Sequence, residues 1–413
     1  MGTSSPPSAP SRPSLAALGW LCLSTGIIAS SLPPVLPAVM RDLGMTSPVA
    51  GVALGAWQAA LALCSVPLGV LLPRIGPGRA VLIGALLAAG SAVLRALAPN
   101  AAVLIAAVAL GGVAWPLVVG TAAALLSGYE GAGRRLAAGV MFSSTNAGFA
   151  LMLAIGPLLE RLPGGWRTAL LLASAPMLAG ILPWLLVSRR LVFGQTAAAL
   201  PLVTVTRQAV SLLATMAVAA PLLVAIAGLS IGHGLAGWLP TLLRQEGASP
   251  TQAGEIAAGF MTLGIFSSFA VSLAARPAHR RWWLCGVLVA VGAALLLLET
   301  GSSAGTGLAL VVVGCAIGMF PPLVLLALYE NAGARAQGAA AGGLYYATMG
   351  FAGLLGPVVL GVFAGLTGGF GAGLNALMVL AFVGALIAAR LPEPEAVGTK
   401  RAREATYPEE AVS

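Results

Sequence analysis

The chain has 413 residues, of which 59% are hydrophobic and 8% charged. A water-soluble domain carries about 25% charge, so this chain cannot cover its surface in water, and a soluble enzyme is excluded; its solvent is lipid. The formal net charge of +9 does not indicate a nucleic-acid partner, because the basic residues stand singly or in pairs between apolar runs, as at a membrane–water boundary.

Residues 1–14 are rich in Ser and Pro and read as a disordered tail. Apolar runs follow at about 15–40, 49–72, 80–97, 102–127, 137–159 and 168–187. A polar stretch at 188–213 breaks the series. Six more runs lie at about 214–241, 254–275, 283–299, 306–328, 337–363 and 371–389, and residues 390–413 form a polar tail. A helix needs about 20 residues to cross a hydrocarbon core of about 30 Å, so each run is long enough to span. The first run is too long for a signal-peptide core and lacks a cleavage pattern. The expected fold is an all-α membrane protein with twelve transmembrane helices in two six-helix bundles, 15–187 and 214–389, joined by a cytoplasmic linker at 188–213. Cys22, Cys64, Cys285 and Cys315 all fall inside runs, without metal-ligand spacing, so neither a disulfide framework nor a metal is expected.

With the N-terminus in the cytoplasm, 16 of the 21 basic residues fall on the cytoplasmic side. The positive-inside rule then places both termini there, in a multi-pass protein of the cell membrane. The halves echo each other. Tyr129-Glu130-Gly131-Ala132-Gly133 leads to Gly156-Pro157, and Tyr329-Glu330-Asn331-Ala332-Gly333 leads to Gly356-Pro357 at the same spacing. Gly164-Gly165-Trp166 is echoed by Gly368-Gly369-Phe370. This duplication predicts two copies of one bundle.

Between the second and third runs, Gly69-Val70-Leu71-Leu72-Pro73-Arg74-Ile75-Gly76-Pro77-Gly78-Arg79 resembles the signature loop of the major facilitator superfamily, Gly-x-x-x-Asp-Arg-x-Gly-Arg-Arg/Lys, with Pro73 in place of the Asp. The resemblance implies secondary transport by alternating access, with a solute site near mid-membrane between the halves. It also implies a cytoplasmic gate made by Gly69, Arg74, Gly76 and Arg79, in which Gly69 permits close helix approach and the arginines latch the outward-open state. Gly148 to Gly156-Pro157, and Gly350, Gly353, Gly356-Pro357 and Gly361, resemble the glycine–proline pattern of antiporters, though generic helix packing explains them as well. Gly237-Trp238-Leu239-Pro240, Gly247-Ala248-Ser249, Ala253-Gly254, the Gly314 to Pro321 run and Arg95 resemble the cyanate/nitroimidazole transporter family. That family's Asn-Leu-Arg run in helix 1 is absent here, where Ser30-Ser31-Leu32-Pro33-Pro34 stands.

Polar groups inside membrane segments point to function. Gln58, Asn146 and His233 lie within runs, and Trp115, Phe320, Tyr345 and Tyr346 add aromatic surface, so these seven are the solute-pathway candidates. Arg95 and Glu299, late in the third and ninth runs, are charge candidates at matching outer depth. No carboxylate sits in the middle of any run. His233 is the only imidazole inside one and could carry a coupled proton. No phosphate-binding Gly-Lys-Ser/Thr loop exists, so ATP is not the energy source, no cofactor is expected, and the protein is not expected to be an enzyme. The expected partners are a small-molecule solute and the bilayer, with a monomeric carrier. Proton-coupled efflux of a drug or metabolite is the alternative; a transport-dead sensor is a third reading.

Overall fold

The computed structural model describes residues 12–125, 131–188, 201–275, 279–299, 303–330, 333 and 337–391. Among them are twelve helical spans, numbered here in chain order: Arg12–Asp42, Ser47–Leu72, Pro77–Ala96, Ala101–Gly120, Gly139–Leu159, Trp166–Val187, Met216–Gln245, Pro250–Ala274, Arg280–Leu298, Ala304–Tyr329, Ala340–Thr367 and Gly371–Ala389. They match the twelve apolar runs. Tyr129, Glu130, Asn331 and Ala332 of the two Tyr-Glu-x-Ala-Gly turns, most of both chain tails and residues 189–200 of the linker lie outside the described residues.

Three spans are less regular than apolarity alone predicts. Span 1 is helical over Arg12–Ala29, breaks, forms a 3₁₀ turn at Pro33–Val35 and resumes over Leu36–Asp42. Pro33 and Pro34 have no N–H to donate, so the helix cannot run through them. In the last turn before the break, serine side chains add bonds to carbonyls that also accept backbone N–H: Ser31 Oγ donates to Ile28 O at 2.8 Å and Ser30 Oγ to Gly26 O at 2.9 Å. Span 4 passes through a π turn at Pro116–Gly120, again opened by a proline. Span 6 is divided into Trp166–Leu172 and Ala175–Val187. The polar linker is not wholly irregular: Leu202–Leu213 is an amphipathic helix burying Val205, Ala209 and Leu212, and it packs on spans 2, 7 and 11.

Lipid tails are as apolar as leucine, so helices in a bilayer associate by close van der Waals contact at small residues. The glycines show this directly. A Cβ on Gly26 would lie 2.1 Å from Thr145 O, and one on Gly148 2.1 Å from Leu23 O, which joins spans 1 and 5. Six spans later, a Cβ on Gly356 would lie 1.8 Å from Ser230 O, joining spans 7 and 11. A Cβ on Gly112 of span 4 would collide with Trp57 O, and one on Gly318 of span 10 with Gly264 O. The same pairings, 1 with 5 and 2 with 4, recur as 7 with 11 and 8 with 10, so the sequence echo is also a spatial one.

The halves meet along spans 2 and 11 and along spans 5 and 8. A Cβ added to Gly51 would lie 2.5 Å from Pro357 O, one on Gly361 2.5 Å from Ser47 O, and one on Gly254 2.5 Å from Leu153 O. These contacts gather toward the face that carries the turns at Gly44, Gly164, Gly247 and Gly368. Toward the opposite face, Gly69 of span 2 and Gly139 of span 5 have nothing within 4 Å. The first face is closed and is so named below; the second is the open face.

Gly356→Ala and Gly112→Ala are therefore expected to lower the melting temperature in detergent, at an overpacking cost of about 1–3 kcal/mol each. Gly90→Ala, where nothing lies within 4 Å, is expected to leave it unchanged or raise it, since alanine is the better helix former.

Candidate solute pathway

In the N-terminal half the aromatic candidates converge. Trp115, immediately before the π turn of span 4, is half-buried and meets the edge of Trp57 with centroids 6.2 Å apart and planes at 85°. Its other side stacks on Phe149 of span 5, at 6.0 Å and 27°. Ser30 Oγ, at the break in span 1, donates to Phe149 O at 3.3 Å. Asn146 lies one turn before Phe149, half-buried on the same face of span 5. Gln58 sits at the seam between the halves, against Gly350 and Gly353 of span 11, and its Oε1 is buried without a hydrogen-bond partner. Trp57 and Phe149 were absent from the sequence candidates; their signal was adjacency to Gln58 and helical spacing from Asn146.

Arg95 corrects an expectation of place. It begins near the outer end of span 3, yet its side chain is fully buried and turned toward the middle of the half. Nη1 donates to Ile28 O at 2.8 Å and to Ser31 Oγ at 3.2 Å, and the guanidinium lies 5.2 Å from the centre of the Trp57 ring. Nε and Nη2 have no hydrogen-bond partner. Among the described residues no carboxylate pairs with it. The negative end of the first helical segment of span 1, cut off at Ala29, and the face of Trp57 hold the cation instead. Glu299's side chain is outside the description, so the structure does not join those two charges.

The C-terminal candidates scatter. A carbonyl can only accept, so the 2.8 Å contact from His233 Nδ1 to Leu229 O puts the proton on Nδ1 and leaves Nε2 as an acceptor. Phe320 is buried against Gly228, filling the seam between spans 7 and 10 rather than facing open space. Tyr345 is likewise buried and donates to Pro321 O at 3.2 Å, a carbonyl of span 10, whose helix runs on through Pro321 and Pro322. Tyr346 is half-buried, its ring edge-on to Tyr345 at 5.4 Å. Trp238 Nε1 donates to Pro357 O at 2.9 Å, so the Gly-Trp-Leu-Pro motif ties span 7 to span 11.

At the open face Arg74 and Arg79 are exposed, and Gly76, with φ +82°, breaks the chain between spans 2 and 3. Gly69 was expected to bring helices close, but in this conformation it stands against open space. At the closed face Arg161 Nη2 donates across the seam to Thr251 Oγ1 at 2.8 Å. Asp42 pairs with Arg167 and accepts from Trp166 Nε1 at 3.2 Å, which fastens span 1 to span 6. Glu160 is half-buried beside Arg244 of the other half and Arg41 of its own; burial raises its carboxyl above the usual range, and the two arginines partly oppose that.

Two outcomes follow. Removing Arg95 deletes two buried nitrogens without hydrogen-bond partners and leaves Ile28 O its bonds from Ser31. Arg95→Met is therefore expected to melt no lower than the parent protein; a fall of several degrees would show that Arg95 holds the break in span 1. A raised carboxyl favours the closed face while protonated, so that contribution is present below its raised pKa and is lost as pH rises through it. A spin-label pair at Leu162 and Glu255 should report more separation in alkali than in acid, and Glu160→Gln should remove the dependence.

The Major Facilitator Superfamily profile matches residues 18–342. None of the curated proteins matches the chain significantly. A bacterial homologue of the human lysosomal transporter spinster, in an inward-facing and unoccupied conformation, superimposes with a TM-score of 0.74 at 17% identity, covering 92% of this chain and 95% of that one. The same kind of homologue in an inward-facing and occupied conformation gives 0.70 at 16% identity, covering 91% and 95%. With its twelve spans, its repeated glycine pairings and a profile match over most of its length, the chain belongs to the Major Facilitator Superfamily of membrane transporters.

Proposed function

We propose that the protein carries a small organic solute across the cell membrane by rocking one six-helix half against the other, with both termini cytoplasmic and no bound cofactor. The observation that carries this reading is the asymmetric seam: at one face Gly51, Gly361, Gly254 and the Arg161–Thr251 bond pack the halves together, whereas toward the other Gly69 and Gly139 face open space while spans 2 and 11 stay in contact through Val66 and Gly343. The excess of basic residues on the open side makes that side cytoplasmic, so the conformation is inward-open. The inward-facing spinster homologues support it. Free Arg74 and Arg79 agree, since their latch belongs to the opposite, outward-open state.

Trp115, Phe149, Asn146 and Gln58 form the N-terminal wall of the proposed path. Two stacked rings beside two amides suit a weakly polar organic solute more than a small inorganic ion. The motifs shared with cyanate/nitroimidazole transporters bear more on packing than on substrate, because Trp238 is spent on Pro357 O and Phe370. Proton-coupled efflux remains the second reading; the Nε2 of His233, within span 7, is the observation that favours it.

Three measurements test this. In a cysteine-free background, Glu246→Cys is expected to label with a membrane-impermeant maleimide in intact cells, and Ser211→Cys only after permeabilisation; the reverse pattern would invert the orientation. Thermal-shift screening of organic solutes should find one that stabilises the carrier, by about 2.7 kcal/mol at a hundredfold excess over Kd, and Trp115→Ala should abolish that shift. In proteoliposomes, flux of that solute in His233→Gln should lose its dependence on a pH gradient if protons are coupled there, and keep it otherwise.

A further inference from the structure

At about 3.6 residues per turn, the linker helix Leu202–Leu213 divides into three sectors. Val205, Ala209 and Leu212 form the first and are buried. Thr204, Arg207, Gln208 and Ser211 form the second. The third holds Leu202, Val203, Val210 and Leu213, with Thr206 among them, and all five are exposed. Val203 is 69% exposed and Val210 63%. One apolar stripe therefore rests on protein, another rests on none, and the polar side points away from both. A helix of 12 residues is marginal in water by itself, so a bare second stripe needs an occupant.

Place and charge name that occupant. The linker follows span 6 and the signature loop follows span 2, so both lie on the side of the open face. The helix touches span 2 of the first half and spans 7 and 11 of the second, and so lies across span ends at the membrane boundary. Its bare stripe runs on into lipid-facing surface. Leu213 leads to Met216, 73% exposed at the start of span 7, and Leu223, seven residues on, is exposed on the same side of that span. Span 7 crosses the bilayer, so that side of it meets acyl chains. No Asp or Glu occurs between Glu160 and Glu246, and Arg207 is exposed at the border between the polar sector and Val203. An apolar stripe with a cation at its edge and no acid nearby fits an interface that contains anionic lipid. We propose that the linker helix lies in the leaflet bordering the open face, with Val203 and Val210 at the boundary of headgroups and acyl chains and Arg207 reaching anionic lipid phosphates. The linker is then a membrane-seated element that touches both halves, not an aqueous tether. This rests on the membrane placement; neither the solute nor the orientation of the carrier enters.

Fluorescence quenching tests it in the full-length carrier, cysteine-free and reconstituted in lipid, with a bimane label on Val203→Cys, Val210→Cys or Ser211→Cys. Lipids brominated on their acyl chains are expected to quench the first two labels, and aqueous iodide to spare them; Ser211→Cys should show the reverse. In mixtures of phosphatidylglycerol and phosphatidylcholine, brominated one at a time, phosphatidylglycerol should be enriched at the Val203→Cys label, and Arg207→Gln should lower that enrichment about fivefold, the effect of one interfacial charge. Melting temperatures equal to the parent's check that the variants keep the fold. Iodide quenching at Val210→Cys equal to that at Ser211→Cys would overturn the proposal. So would valine labels shielded from both quenchers, which would mean that another part of the chain covers the stripe, or an enrichment that Arg207→Gln leaves unchanged. Absence of any solute-induced thermal shift, with quenching as expected, would count against the transport reading alone.

Discussion

Helices in lipid gain nothing from hiding apolar side chains from one another, so everything in this molecule depends on how closely backbones can approach. The glycines of spans 5 and 11 set that distance. Gly148 lets Leu23 O come within 2.1 Å of where a side chain would start, and Gly356 does the same for Ser230 O at 1.8 Å. Span 11 serves two neighbours at once, meeting span 7 through Gly356 and span 2 through Gly350, Gly353 and Gly361. It therefore belongs both to the interior of its own half and to the seam across which the halves move. A glycine–proline pattern that generic packing could explain is placed where packing and rocking share one surface.

The breaks in the helices follow the same economy. Prolines at 33, 34 and 116 interrupt spans 1 and 4 beside the aromatic cluster, and Ser30 and Ser31 add side-chain bonds to the last turn before the break in span 1. Lipid-exposed irregular backbone is not tolerated at that depth, but breaks buried in protein or lining a cavity are. The break in span 1 also creates the negative helix end on which Arg95 rests. A cation without a carboxylate is thus explained by backbone geometry, and two of its donor groups remain unspent in the conformation described.

Among the described residues, the polar contacts that cross between the halves lie at the closed face. At the closed face one hydrogen bond, Arg161 to Thr251, and the Glu160–Arg244 proximity cross between halves near Gly254. At the open face the signature-loop arginines reach no partner. Exposed polar contacts of this kind are worth little each, which suits a transition that must reverse with every cycle. The tight glycine contacts between spans within one half are not of this kind, and they let each half move as a unit.

The sequence alone determined the solvent, the twelve spans and the duplication, because each depends on composition or on spacing along the chain. Twelve apolar runs and an echo of Gly-Pro after Tyr-Glu-x-Ala-Gly are one-dimensional facts. The sequence also singled out Trp115, Asn146 and Gln58, since a polar or aromatic group in an apolar run is conspicuous there. Only the tertiary structure decided which candidates meet. Phe320 and Tyr345 turned into the packing of the second half, whereas Phe149 and Trp57, unremarked in the run of letters, joined Trp115. Arg95 lies late in its helix by number but near mid-membrane by side chain, and the linker's polar stretch folds in part into an amphipathic helix. The physical reason is direction: a helix fixes a residue's height by its position in the chain, but which neighbour it faces depends on how the other helices are turned around it.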